Sequence, residues 1–301
     1  MMYDAIVVGG SYAGLSAAMQ LARAGRAVCV IDSGSPRNRF ASASHGFFGQ
    51  DGAAPRAMIL QGREKLAAYP TVHFVDDRAT EAVATEAGFS LRLESGNTRE
   101  GAKLVLAFGL IDDLPEIPGL AGKWGQSVLH CPYCHGYEFK GQRLGVLNVM
   151  ENSAHQALMI PDWGPTTFFL NGGAMPDPET VEKLRRRVAT IEPGRVVALE
   201  GDTTLTGVRL EDGRVVELDA LFTASRTRMA CPIAEQLGCA FDEGMLGPVI
   251  RVDGKQMTTV PGVYAAGDIA RQMHNATFAS ADGVMAGTAA HQALVFEPLA
   301  A

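Results

Sequence analysis

An apolar run, a turn written Gly9-Gly10-Ser11-Tyr12-Ala13-Gly14 and a helical pattern follow one another at the start of this chain, and that order leaves little choice of fold. Ala5 to Gly9 reads as a buried strand. Leu15, Ala18, Met19 and Ala22 recur at i, i+3, i+4 and i+7, and Gly25 stands where a helix ends in a left-handed residue. A second apolar run, Ala27 to Ile31, closes on Asp32. Together they make a β-α-β unit of about 30 residues with an acid about 20 residues past the glycines. Glycines let the backbone turn tightly and approach a pyrophosphate, which rests on the free N–H groups at the helix N-terminus. Gly9, Gly10, Ser11, Ala13 and Gly14 are therefore candidate cradle residues, with Asp32 as acceptor for ribose hydroxyls. Serine at 11 replaces the usual middle glycine with a small side chain.

Length and charge bound the rest. The 301 residues leave room for two domains. A net charge of −7 argues against nucleic acid or an anionic membrane as partner, since both ask for a basic surface. No apolar run approaches the ~18–20 residues of a membrane span, and MMYDAIVVGG has no basic stretch of a secretion signal, so a cytoplasmic location is expected. Ser95-Gly96-Asn97 and Glu211-Asp212-Gly213 each separate strand-like runs and read as hairpin turns. The proline-punctuated stretch 112–120 and the stretch 223–231 read as crossovers between domains. Towards the end, TTVPGVYAAGDIA (258–270) reads as a strand ending in Gly267-Asp268, before a small-residue helix over Ala279 to Ala290.

Chemistry concentrates at His130 to Glu138, HCPYCHGYE. Cys131-x-x-Cys134-His135 fits a c-type haem attachment, half a zinc site or a redox-active disulfide. Cys29 sits in a strand pattern, and Cys29, Cys231 and Cys239 read as structural.

The glycine motif with Asp32, LVLAFG…LPEIPG, a central C-x-x-C and VYAAGDIA come in the order that resembles low-molecular-weight thioredoxin reductases, over essentially the whole chain. The resemblance implies an α/β fold of two Rossmann-like, three-layer ββα-type domains. A discontinuous FAD-binding domain (1–116 and 227–301) would enclose a nicotinamide-type domain (117–226) that carries the C-x-x-C. It implies FAD as cofactor and a homodimer. Asp268, after Gly267, would hold the flavin side of FAD; Asn275 and Ala276 match the start of the last helix near the flavin, and Arg37, Asn38 and His45 match a flavin-side loop. Phe108 stands where that family usually has threonine. Cys131 and Cys134 would form the redox disulfide, Cys131 as the outer thiol and Cys134 facing the flavin. The other histidines, His274 among them, read as structural or surface groups.

Two departures bear on direction. The second nucleotide motif falls on GVLNVMENSAHQAL (145–158), where Val149, Met150 and Glu151 replace glycines and Glu151 would repel a phosphate. Asn171-Gly172-Gly173 replaces the arginines expected there, and Arg185, Arg186 and Arg187 read as a solvated helix face, so NADPH use is doubtful. His135 stands where most reductases have aspartate, and C-x-x-C-H-G is similar to dithiol oxidases of the gliotoxin type, in which the histidine is thought to act as base. The expectation is an FAD-dependent thiol-disulfide oxidoreductase that oxidises a small dithiol, or a thioredoxin-like protein, with oxygen as acceptor. The alternatives are a disulfide reductase fed by NADPH through a divergent site or by a donor such as ferredoxin, and a non-enzymatic FAD-bound redox sensor.

Overall fold

The computed structural model describes residues 1–296. The chain forms two compact units, one of residues 1–39, 55–111 and 227 onward, the other of 40–54 and 112–226. Residues 297–301, expected in the discontinuous domain, lie outside the described residues.

In the first unit β1 (Met2–Val8), β2 (Val28–Asp32), β3 (Val72–Asp76), β4 (Ala79–Thr85), β5 (Gly88–Leu93) and β6 (Thr98–Leu106) form a sheet in the order β3-β2-β1-β6-β5-β4. Val263–Ala265 also joins it on β6. Pairing is parallel through β3, β2, β1 and β6 and antiparallel through β6, β5 and β4. Both faces of the parallel part are covered, so its central stretches, residues 5–8, 28–31 and 104–106, are apolar throughout. Ala5, Val7, Val28 and Val30 pack on one face with the helix α1 (Tyr12–Arg23) and the C-terminal helix Ala276–Phe296. Ile6, Val8, Cys29 and Ile31 pack on the other with Leu91, Leu93 and Ile233.

The C-terminal helix is longer at both ends than its small-residue run suggests. The Asn275 side chain accepts the Thr277 N–H at 2.7 Å and opens the helix at Ala276. Its glycines let it lie against α1: a Cβ at Gly283 would sit 2.1 Å from the Ala13 carbonyl oxygen, and one at Gly287 2.4 Å from that of Ala17. No helix among the described residues is long and apolar enough to cross a membrane.

The second unit has a parallel five-stranded sheet in the order Thr190–Glu192, Thr166–Phe169, Leu144–Leu147, Ala220–Phe222, Val128–Leu129. One face packs against an antiparallel sheet of Val196–Glu200, Gly207–Leu210 and Val215–Glu217, through Leu147, Phe169 and Leu221 against Leu199, Val208 and Leu210. The other packs against the helices Ser153–Met159 and Pro178–Arg186 through Val146, Phe168 and Phe222. Two sheets and a helical layer make this a three-layer ββα unit, and the molecule an α/β protein of Rossmann-like units. Both hairpins expected from the sequence are present, with Gly96 at φ +85° and Gly213 at φ +88°.

Candidate active site

The first unit places its functional groups where the parallel strands end. Gly9 has φ +114°, and a Cβ there would lie 2.2 Å from the Ala107 carbonyl oxygen at the end of β6. A Cβ on Gly10 would lie 2.7 Å from the Asp32 carboxylate, and one on Gly14 1.8 Å from the Gly9 carbonyl oxygen. The turn can fold this tightly against β2 and β6 only because these three positions lack side chains. Ser11 precedes α1 without capping it through its hydroxyl, so the first-turn amides, Ala13 and Gly14 included, have no side-chain cap. First-turn amides without a side-chain cap, a glycine turn and Asp32 at the end of β2 form a cradle that fits the ADP portion of FAD.

The strand Val263–Ala265 brings a second cluster to the same edge. Gly267, at φ +83°, would carry a Cβ 3.1 Å from that of Ala13. The next residue, Asp268, accepts from Arg37 Nη1 at 3.0 Å. Arg37 Nη1 also lies 2.7 Å from His274 Nδ1, and Asn38 Nδ2 donates to the Tyr12 hydroxyl at 3.2 Å. Arg37, Asn38, Gly267, Asp268, Asn275 and Ala276 therefore share a unit with the cradle. His274 and Tyr12 belong to the group as well. The signal that could have found them is their position beside Asn275 and inside the glycine motif.

His45 lies elsewhere, because residues 40–54 belong to the second unit. That unit carries the cysteines. Cys131 and Cys134 are joined as a disulfide, with their Cα atoms 5.3 Å apart. Joined to each other, neither sulfur is a zinc ligand or a haem thioether. Pro132 opens the short helix Pro132–His135 directly after Cys131, which fixes the three-residue step between the sulfurs. A Cβ on Gly136 would lie 2.8 Å from the Trp163 indole, so glycine lets the motif pack there.

His135 is partly buried and meets the His45 ring edge to face at 6.4 Å between centroids. Burial lowers its imidazole below the usual 6.5; Glu138 opposes that shift and His45 adds to it. Near neutral pH His135, the residue after Cys134, thus favours its neutral form. The three other cysteines are unreactive by comparison: burial raises the Cys29 thiol to about 11 and also raises Cys231 and Cys239.

The strand ends of the second unit open on a cavity of about 740 Å³, lined in part by Asn148, Val149, Met150, Glu151, Asn171 and Arg226. A doubly wound fold takes a dinucleotide at such a crevice. Here the buried Ser153 hydroxyl accepts the N–H groups of Val149 and Met150, at 3.1 and 3.2 Å, so these loop amides are already paired. Asn171 accepts from the Val196 N–H at 3.1 Å. Arg185 and Arg186 pair with Glu182, and Arg187 with Asp162, all at the surface. They behave as the solvated face that the sequence suggests.

Residues 3–150 and 179–283 match the family model described as pyridine nucleotide-disulphide oxidoreductase. The thioredoxin reductase tcpT of Claviceps purpurea (strain 20.1) is 32% identical, over 97% of this chain and 94% of that protein. Among solved structures, an oxidoreductase from Agrobacterium tumefaciens is 44% identical, with a TM-score of 0.95 over 99% of this chain and 100% of that one. HlmI is 33% identical, with a TM-score of 0.90 over 97% of this chain and 92% of that one. The family uses FAD, for which the glycine turn and Asp32 have the right shape. Fold, cradle, cysteine pair and sequence likeness agree that this chain belongs to the pyridine nucleotide-disulphide oxidoreductase family, as a thioredoxin reductase-like, FAD-dependent disulfide oxidoreductase.

Proposed function

We propose that the protein oxidises a dithiol to a disulfide, with oxygen as final acceptor, and that Cys131, Cys134 and His135 carry the reaction. The observation that carries this reading is the neutral His135 beside the disulfide, on a unit whose nucleotide crevice has spent two loop amides on Ser153. A substrate thiol gives its proton to His135 and its sulfur bonds to Cys131 Sγ; the Cys131–Cys134 bond breaks and Cys134 leaves as thiolate. The second substrate thiol attacks the substrate sulfur of the mixed disulfide, its proton passes to the leaving Cys131, which is released as a thiol, and the product leaves with its own S–S bond. Two electrons have then passed from substrate to the cysteine pair. FAD, when bound, supplies a two-electron acceptor for that pair and a route to oxygen. Asp32, Arg37 and Asp268 of the first unit would hold it.

The substrate class is a small dithiol or a thioredoxin-like protein, and the assembly is a homodimer in the cytoplasm. Stopped-flow absorbance under argon tests the direction. Dithiothreitol should bleach the bound flavin while NADPH leaves it oxidised; fast bleaching by NADPH alone sinks the oxidase reading. The names of relatives such as the thioredoxin reductase tcpT favour a second reading, a disulfide reductase fed by NADPH or by another carrier such as ferredoxin. In that case thioredoxin, and no small dithiol, would exchange electrons with the cysteine pair.

A further inference from the structure

We propose that His45 is a positioning residue for His135, holding Glu138 in place and carrying the proton that His135 takes from a substrate thiol out to solvent at Asp51. The proposal rests on His135 as the base of the exchange but not on the direction of electron flow. An imidazole that accepts a proton from an attacking thiol in one direction returns it in the other.

The geometry lies within one unit. His45 sits on the loop 44–53, whose ends are tied by Ser44 N–H to the Ala53 carbonyl and Gly52 N–H to the Ser44 carbonyl, both at 2.8 Å. Inside the loop, the Gly46 N–H donates to Asp51 Oδ1 at 2.8 Å and turns that carboxylate towards the ring. His45 Nδ1 then lies 3.6 Å from Asp51 Oδ1, and Nε2 lies 3.4 Å from Glu138 Oε1. Both ring nitrogens thus face a carboxylate oxygen. Glu138, three residues past His135, also acts on the His135 charge. The titratable groups facing His45 are Asp51 on its own loop, and His135 and Glu138 from the cysteine helix and the turn after it.

Exposure along this line rises outwards: the side chain is 23% exposed at His45 and 72% at Asp51. His135 and His45 are both partly buried, and Glu138, which acts on the His135 charge and lies 3.4 Å from His45 Nε2, links the two imidazoles on the way to Asp51. The exchange itself balances on groups already present. The thiol proton goes to His135, the thiol sulfur bonds to Cys131, and Cys134 receives the electron pair of the broken S–S bond.

The test follows flavin bleaching by dithiothreitol under argon in the holoenzyme, across pH, for wild type, His45→Gln, His45→Ala and Asp51→Asn. General base catalysis is worth about 10²–10⁴-fold, and losing its exit is expected to cost about tenfold of that in both His45 variants. Added imidazole should restore His45→Ala in a saturable way, and Asp51→Asn should show a smaller loss. A second readout is independent of turnover: the NMR titration of the His135 ring should shift in His45→Gln, because His45 and the Glu138 it holds both act on the His135 charge. A wild-type rate and pH profile in His45→Ala overturns the proposal. So does a slow His45→Gln that keeps the wild-type thermal midpoint and His135 titration. If dithiothreitol fails to bleach the wild-type flavin, the oxidase reading falls. The relay is then judged on the same NMR shift and on the pH profile with which the pre-reduced enzyme reduces an aromatic disulfide.

Discussion

Replacing Gly14 by alanine places a methyl carbon 1.8 Å from the Gly9 carbonyl oxygen, where ordinary contact begins near 3.4 Å. The turn and the first turn of α1 must separate by about 1.6 Å, the difference of those two distances. Gly9 cannot take up the shift freely, since its own Cα hydrogen side already faces the Ala107 carbonyl. Overpacking of this kind costs ~1–3 kcal/mol, and the reduced freedom of the unfolded chain returns ~0.4–1 kcal/mol. The net loss of stability is about 0–2.6 kcal/mol. FAD suffers more, because a shift of that size takes the first-turn amides out of hydrogen-bond range of a pyrophosphate. One hydrogen bond to a charged group is worth ~1.5–3 kcal/mol, so affinity should fall roughly 10- to 100-fold. Titrating apo-protein with FAD and following the quenching of flavin fluorescence measures it. Gly122→Ala is the control, with no atom within 4 Å of the added methyl. If Gly14→Ala binds FAD within a factor of about two of the wild type, the cradle assignment is wrong.

Cys134→Ser should retain FAD and lose dithiol-driven bleaching altogether; bleaching at the wild-type rate, seen by stopped-flow, contradicts its role. His135 is lowered below 6.5 and works as the neutral form, so the rate of bleaching should hold above that pH and fall as acid protonates the ring. His135→Ala should be slower and lack this acid limb. The same shift gives a stability prediction. A histidine whose folded value lies below its unfolded one loses stability as pH falls through 6.5 towards the folded value. Urea midpoints of wild type should therefore drop more on acidification than those of His135→Ala. Gly287→Ala improves helix propensity by ~1 kcal/mol, yet its Cβ would lie 2.4 Å from the Ala17 carbonyl oxygen. Its thermal midpoint should fall by a few degrees, at ~2–4 °C per kcal/mol, and a rise would refute the close helix crossing.

What could be read before folding was whatever is encoded over short distances. The turn at Gly9 to Gly14, helix α1 and the strand to Asp32 lie within about 30 residues, and each step has its own pattern in spacing and residue type. The hairpin turns at Gly96 and Gly213 carry their own backbone requirement. The surface role of Arg185 and Arg186 was equally legible, since ion pairs at i, i+3 and i, i+4 need no distant partner. The missed features pair segments far apart in the chain. Arg37 with His274, and His45 with Glu138, depend on where two loops come to rest, and no periodicity records that. Ser153 is a case in between. Its place in the degenerate motif was visible, but the turn of its hydroxyl back onto Val149 and Met150 was not.

The sheet that supports the cradle takes β1 from the start of the chain and Val263–Ala265 from near its end, both on β6. α1 is likewise covered by Gly283 and Gly287 of the last helix. During synthesis residues 9–14 precede Asp32 and β6 by about a hundred residues at most, yet the covering Val263–Ala265 strand and last helix come more than two hundred residues later. The nascent chain therefore keeps an open, apolar half-sheet for most of its elongation, while the strands between 128 and 222 already have their sheet partners. Prosthetic-group loading then waits until Val263–Ala265 and the helix Ala276–Phe296 have been made. A truncation that removes only the last helix should leave the cysteine-bearing unit able to fold, in a protein that is colourless.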